Sequence, residues 1–316
     1  MKNKLYSTLT LFVFLIILAI IAWRLTATQE TALNKNLVFK ISESDIIGFD
    51  ITKVDEEQKT DKMSVRKNPD NNWVITAPVQ DITDPGTIAI MIASLQGIRT
   101  PTIIKNVADL SEYGLSRPNL TVTIHLKKEK AVTIDFGVES PIPEMYYACL
   151  SGKRDVVVIG KDIKNNLSPK LAYLRERRVM KLTKEQVYEL SVKIGQGQVY
   201  RMVNTNDGKW SLVEPFNKEL LTKDINAIID GLNALWAHEN DDDLNNLAKY
   251  GLDQPQYHVE LKLADGKSFS LIANKIDGDY YMFNSLRKTI IKQMNPDAFN
   301  FLGSNLQKIL SNNSNK

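Results

Sequence analysis

Tyr113-Gly114-Leu115-Ser116-Arg117-Pro118 and Tyr250-Gly251-Leu252-Asp253-Gln254-Pro255 are nearly one hexapeptide, written twice in a chain of 316 residues. Their spacing, 250 less 113, gives an offset of 137 that aligns much else. Trp73 meets Trp210, Pro78 meets Pro215, Ile88 meets Ile225, Leu95 meets Leu232, Leu110 meets Leu247, Val122 meets Val259 and Leu126 meets Leu263. The agreement runs from about residue 70 to 126 without a gap, although single positions such as Asn68 and Thr205 differ. One offset sustained over such a span indicates internal duplication, each copy being a supersecondary unit.

The hexapeptide follows a short helical stretch, Ala108 to Tyr113 or Leu244 to Tyr250. Glycine just past a helix end adopts the left-handed cap at little cost, the leucine after it packs back, and proline blocks continuation. Strands follow at once: Leu120, Val122, Ile124, Leu126 and Tyr257, Val259, Leu261, Leu263, each set alternating with polar residues. That alternation gives each sheet one wet face. The hexapeptide therefore reads as a helix stop and strand start in preference to a ligand loop.

Upstream, the turn-rich stretches 68–72 and 205–209 each sit between an alternating run and a Trp-led one: Met63, Val65 then Trp73, Ile75; Tyr200, Met202 then Trp210, Leu212. These are β-hairpin signals. A helix follows in each copy, with Thr83 or Thr222 as its expected cap, Pro85 or Asp224 in its first turn. Its apolar stripe is Ile88, Met91, Ile92, Leu95, Ile98 or Ile225, Ile228, Ile229, Leu232, Leu235. Downstream come more strands, then a helix over Ile163–Leu174 or Phe299–Leu310. The initial strands, Ile47, Phe49, Ile51 and Tyr188, Leu190, Val192, match at an offset of 141. The expected fold is α+β: an N-terminal transmembrane helix, then two tandem, structurally similar units, each an antiparallel sheet packed by a helix.

Leu5 to Trp23 is nineteen residues without a charge. As a helix it would be roughly 28 Å long, close to a bilayer's hydrocarbon thickness. Trp23 and Arg24 close it as interface residues, and the poor cleavage-site match at Thr26-Ala27-Thr28 favours an uncleaved anchor over a signal peptide. The expected organisation is a cytoplasmic 1–4, an anchor 5–24, a tether 25–40, a first unit 41–180, a second unit 181–310 and a tail 311–316. The expected location is the bacterial inner membrane, single-pass, with the bulk of the chain extracytoplasmic or periplasmic. Lys2 and Lys4 before the span and Arg24, Lys35 and Lys40 after it give only a weak orientation bias.

Forty basic residues against thirty-seven acidic leave a net charge of +3, which argues against nucleic acid as a partner. The run Arg175-Glu176-Arg177-Arg178 reads as a solvated helix end in preference to a phosphate site. One cysteine, Cys149, excludes an intrachain disulfide and a CxxC site, and its strand context reads as buried and inert. His125, His238 and His258 show no metal-ligand spacing, and no GxxxxGK[ST], GxGxxG or GxSxG motif occurs. Glu239-Asn240-Asp241-Asp242-Asp243 lacks the frame of a calcium loop and reads as the charged first turn of a short helix. Tyr146-Tyr147 and Tyr280-Tyr281 read as strand packing in preference to a glycan groove. No catalytic, cofactor or metal residue is assigned, no cofactor is expected, and ligand-binding residues stay unknown.

The anchor, the hairpin ending in W-x-[IL]-x-x-P (Trp73–Pro78, Trp210–Pro215), the YGLxxP hexapeptides and the closing Leu174-Arg175-Glu176-Arg177-Arg178 resemble the bacterial domain-of-unknown-function family numbered 4340. The second copy lacks the arginine-rich closing segment. The resemblance implies a membrane-anchored protein, in some members associated with ABC-type transport operons related to gliding motility, with no assigned catalytic residue. The expectation is a non-enzymatic auxiliary or scaffold subunit of a transport or envelope complex, held by the membrane through its N-terminal helix and by protein partners. Two other readings stay open: a module binding a glycan or lipid in a cleft between the repeats, and an enzyme using dispersed carboxylates.

Overall fold

Alternation decides the strands. In the computed structural model, which describes Ile16 and residues 37–55, 57–128, 130–205 and 208–311, nearly every alternating run of the sequence is one. The expected anchor 5–24, apart from Ile16, lies outside the described residues, as do most of the tether 25–40, hairpin positions 206 and 207, and the tail beyond Ser311. Among the described residues no helix is long and apolar enough to cross a membrane.

In chain order the elements are β1 (Leu37–Phe39), β2 (Ile46–Val54), β3 (Thr60–Lys67), β4 (Trp73–Ala77), β5 (Asp81–Ile82), α1 (Pro85–Leu95), β6 (Ile98–Arg99), β7 (Ile103–Ile104), β8 (Leu120–Leu126), β9 (Val132–Glu139), β10 (Met145–Leu150) and β11 (Val156–Gly160), then the short helices α2 (Lys161–Asn166) and α3 (Leu171–Leu174). The series then recurs as β12 (Val187–Ile194), β13 (Val199–Asn204), β14 (Trp210–Glu214), β15 (Lys218–Leu220), α4 (Thr222–Asn233), β16 (Glu239–Asp241), β17 (Tyr257–Leu263), β18 (Ser268–Ile276), β19 (Asp279–Asn284), β20 (Thr289–Gln293) and α5 (Asn300–Ser311). The fold is mixed α+β, with few helices and largely antiparallel sheets. One nine-stranded sheet runs β5-β4-β3-β2-β8-β9-β10-β11-β7, the other β15-β14-β13-β12-β17-β18-β19-β20-β16. Strand for strand the two orders coincide. The chain divides into two compact units, Met1–Asn72 with Gly86–Pro169, and Trp73–Pro85 with Lys170–Lys316.

In the first unit, Phe49 stands opposite Val65 and Ile124, and Ile51 opposite Met63 and Val122. All six are buried, while Asp50, Ser64 and Thr123 between them face the wet side. Ile88, Met91, Ile92 and Leu95 of α1 are buried as the stripe predicts, each such side chain contributing about 1.5–3 kcal/mol. In the second unit Leu190, Val192, Met202, Trp210, Val259 and Leu261 of the sheet share one core with Ile225, Ile228, Ile229 and Leu232 of α4 and with Phe299, Leu302, Leu306 and Ile309 around α5. A Cβ at Gly231 would lie 2.2 Å from the Phe301 ring, so α4 and α5 approach this closely only over a glycine.

Several local expectations are corrected. Thr83 does not cap α1: its hydroxyl donates to the Trp73 carbonyl and its backbone bridges Arg175. Thr222 is the first residue of α4, and Leu221 holds the cap position without a side-chain bond, because the chain is still extended there as it leaves β15. The expected helix 163–174 is two short ones, since Pro169 has no N–H and pushes Ser168 out of the helical region. Glu239–Asp241 is a strand, not a helical turn, because the backbone of β20 offers it hydrogen bonds.

Candidate functional site

The repeated hexapeptides come first, since a shared loop could be a shared site. Ser111–Tyr113 and Ala248–Tyr250 are short 3-10 turns, closed by Gly114 at φ 67° and Gly251 at φ 63°. The amide of Leu115 donates to the Leu110 carbonyl at 3.0 Å, and that of Leu252 to the Leu247 carbonyl at 2.9 Å. Both leucines are buried. Tyr113 meets the ring of Tyr147 edge-on at 4.8 Å, and Tyr250 stacks on Tyr281 at 4.4 Å. One tyrosine of each strand pair, Tyr147 or Tyr281, is thus what the corner tyrosine packs against. Gly137 on β9 lets the Tyr113 carbonyl come close; its counterpart Asn274 donates to the Tyr250 carbonyl at 3.4 Å. Each corner fastens one turn to one sheet.

The densest chemistry lies elsewhere, in the second unit, around Arg175, which the sequence reading left in solvent. Arg175 is 4% exposed. Its Nε donates to Asp81 Oδ2 at 2.7 Å, and its two Nη atoms form a fork on Asp242 at 2.8 and 2.9 Å. Arg287 donates from Nε and Nη2 to the two oxygens of Asp81 at 2.9 and 2.7 Å. The Asp81 side chain is fully buried, and its Oδ1 also accepts the Ile82 amide. Thr289 donates to Asp242 at 2.7 Å. Burial opposes ionisation of Asp242, but the bonds from Arg175 and Thr289 and the two guanidinium charges hold its carboxyl below the usual range. Burial opposes the charge on Arg175 as well, and the two aspartates raise its pKa against it. The segment is therefore not a solvated helix end: Arg175 is buried in a chain of alternating charges whose bonds are mutually satisfied, and Glu176, also buried, accepts the Arg178 amide at 2.9 Å.

Sequence reasoning missed this cluster because its members are 94 and 206 residues apart. A signal existed: at the repeat offset Asp81 meets Lys218, a position where the copies disagree in sign. Lys218 donates instead to the carbonyls of Ile309 and Leu310 at the end of α5.

Each wet sheet face carries a smaller charged group. In the first unit His125 Nε2 lies 2.6 Å from Asp50 Oδ2, Arg66 Nη2 2.6 Å from Oδ1, and Ser64 donates to Oδ1 at 2.7 Å. Burial works against the Asp50 charge, and the hydrogen bonds of Ser64, His125 and Arg66 outweigh it, lowering its pKa. Histidine, serine and aspartate thus meet, but the hydroxyl bonds the carboxylate and not the imidazole, so this is no nucleophilic triad. In the second unit Glu189 takes Lys262 at 2.9 Å and Arg201 at 3.7 Å. A cavity of about 490 Å³ in the first unit is bordered by Lys53, Asp55, Asp61, Asn119, Lys164 and Ser168, and one of about 340 Å³ lies over Glu189, Glu260, Lys262 and three serines in the second. Among the described residues no group of three His, Cys, Asp or Glu side chains could hold a metal ion. The acids of 239–243 are each engaged: Glu239 by Lys292 at 3.7 Å, Asp241 by Asn246 and Tyr250, Asp242 by Arg175, and Asp243 by the amide of Asn245.

Residues 73–237 match the family described as Domain of unknown function (DUF4340), more than half of the chain. The chain belongs to the DUF4340 family. The DUF4340 match opens on Trp73, the first residue of β4, and takes in Asp81 and Arg175 but neither Asp242 nor Arg287. No curated protein and no solved structure matches the chain.

Proposed function

We propose that this DUF4340 protein is a membrane-tethered extracytoplasmic scaffold, an auxiliary subunit of an ABC-type transport or envelope complex with no catalytic step of its own. The observation that carries the reading is the use of its charges: Asp81, Arg175, Asp242 and Arg287 are spent on each other inside the fold. The uncharged Leu5–Trp23 segment supports a single inner-membrane span, and two sheets of one strand order support a duplicated platform. The test is crosslinking in native membranes followed by mild solubilisation and affinity purification. A transporter-like integral partner in fixed ratio is expected; recovery of the monomer alone contradicts the reading.

A second reading, a module for a glycan or lipid, is supported by the cavity of about 490 Å³ in the first unit. There Lys164 stands 3.6 Å over the Tyr146 ring, and burial lowers its pKa. A thermal-shift screen with envelope glycans and lipids separates the two readings, since a specific upward shift is expected only of the module.

A further inference from the structure

β5 and β15 are the end strands of their sheets and occupy the same place in the two copies. Within the second unit, β5 has company beyond β4. The Asp84 amide donates to the Leu174 carbonyl at 2.8 Å, the Glu176 amide donates to the Ile82 carbonyl at 3.0 Å, and Thr83 bridges Arg175 between them. The segment Leu174–Glu176 thus lies along β5 as a short added strand. Its central side chain, Arg175, reads the charge on that edge, Asp81.

The repeat offset carries these positions to β15: Asp81 to Lys218, Ile82 to Glu219, Thr83 to Leu220 and Asp84 to Leu221. The groups that would pair with an added strand are the Glu219 carbonyl and the Leu221 amide. Among the described residues neither has a backbone partner there, and β14 is the strand that β15 pairs with. Leu221 is 52% and Phe216 49% exposed beside them. An open strand edge flanked by exposed apolar side chains is a template for another chain.

We propose that the outer edge of β15 docks an extended segment of a partner protein, added as a further strand and bearing an aspartate or glutamate opposite Leu220, where Thr83 faces Arg175 in the first copy, and within reach of Lys218. The charge follows from the first copy, where the docked residue is opposite in sign to the edge residue. Residues 312–316, Asn-Asn-Ser-Asn-Lys, contain no aspartate or glutamate side chain. The proposal rests on the scaffold reading and names the surface that such a scaffold would offer.

The test uses the full-length chain in detergent and two labelled peptides of the sequence 172–178, one unchanged and one carrying Arg175→Asp, followed by fluorescence anisotropy. The aspartate peptide is expected to bind about tenfold more tightly, and Lys218→Asp to invert that order. Leu221→Pro is expected to abolish binding of both. Leu221 has φ −78°, which proline accepts, and its amide donates to no backbone carbonyl of the described residues, so this variant keeps its circular dichroism and melting temperature. Equal affinities, no binding, or binding indifferent to Leu221→Pro overturns the proposal. So does binding that appears only after residues 312–316 are deleted, or a dimer in sedimentation that Leu221→Pro dissolves, since the occupant is then the chain's own tail or a second copy. A failed peptide test with a crosslinked partner still recovered from membranes sinks this edge alone; recovery of monomer alone sinks the scaffold reading.

Discussion

Asp81 accepts four hydrogen bonds, one from its neighbour's amide and three from two arginines brought in from distant parts of the chain. A buried carboxylate is tolerated only when so paired, and it in turn makes two buried guanidiniums tolerable. Cys149 is the opposite case, a polarisable group kept idle. Burial, with the Asp135 charge behind it, pushes its thiol up to about 11. At pH 8 the native protein should therefore take up iodoacetamide far more slowly than the urea-unfolded chain; equal rates would mean the thiolate is accessible in the fold. The sequence reading reached this residue because a strand context was enough. It placed Arg175 in solvent because nothing within a helix turn of it names Asp81.

At the scale of elements, what is local was legible. The stripes of α1 and α4 up to Leu95 and Leu232, the alternating strands and the Tyr-Gly-Leu corners depend on neighbours in sequence, and they stand where the pattern put them; Ile98 falls instead in β6 and Leu235 beyond the end of α4. The errors lie at ends: Thr83 and Thr222 as caps, and an unbroken helix through Pro169, whose breaking power was visible in the sequence. Glu239–Asp241 went wrong for another reason, since β20 decides it. The two corners differ in a way that can be measured. A Cβ at Gly114 would come within 2.9 Å of the Val138 amide nitrogen, a backbone atom, whereas at Gly251 it would meet the movable end of Asn274 at 2.3 Å. Both alanine substitutions carry the left-handed cost of about 1–2 kcal/mol. Gly114→Ala should cost more than Gly251→Ala in urea unfolding; the reverse order would show that β9 yields more easily than Asn274.

For the whole molecule, duplication was legible because one offset held over a long stretch, and the identical strand orders follow from it. The division into units was not legible: Trp73–Pro85 belongs with Lys170–Lys316, through contacts that the repeat pattern does not encode. Acid should expose how such charges act. Asp50 and Asp242 both have lowered pKa values in the fold. Their contribution is present above the unfolded carboxylate value of about 3.9 and is lost as pH falls through the lower folded values. The melting temperature should thus hold between about pH 5 and 7 and fall below about pH 4, with a shallower fall in the Asp50→Asn, Asp242→Asn double variant. A double variant with the wild-type profile would show that other carboxylates govern acid unfolding.

Whether the buried charges serve the fold or something else is tested most directly by urea unfolding of Asp81→Asn beside the wild type. Removing that one charge strands Arg175 and Arg287 without their shared partner, and a loss of about 3–5 kcal/mol is expected. A stability within about 0.5 kcal/mol of the wild type would contradict a structural role and return the cluster to candidacy as a binding site.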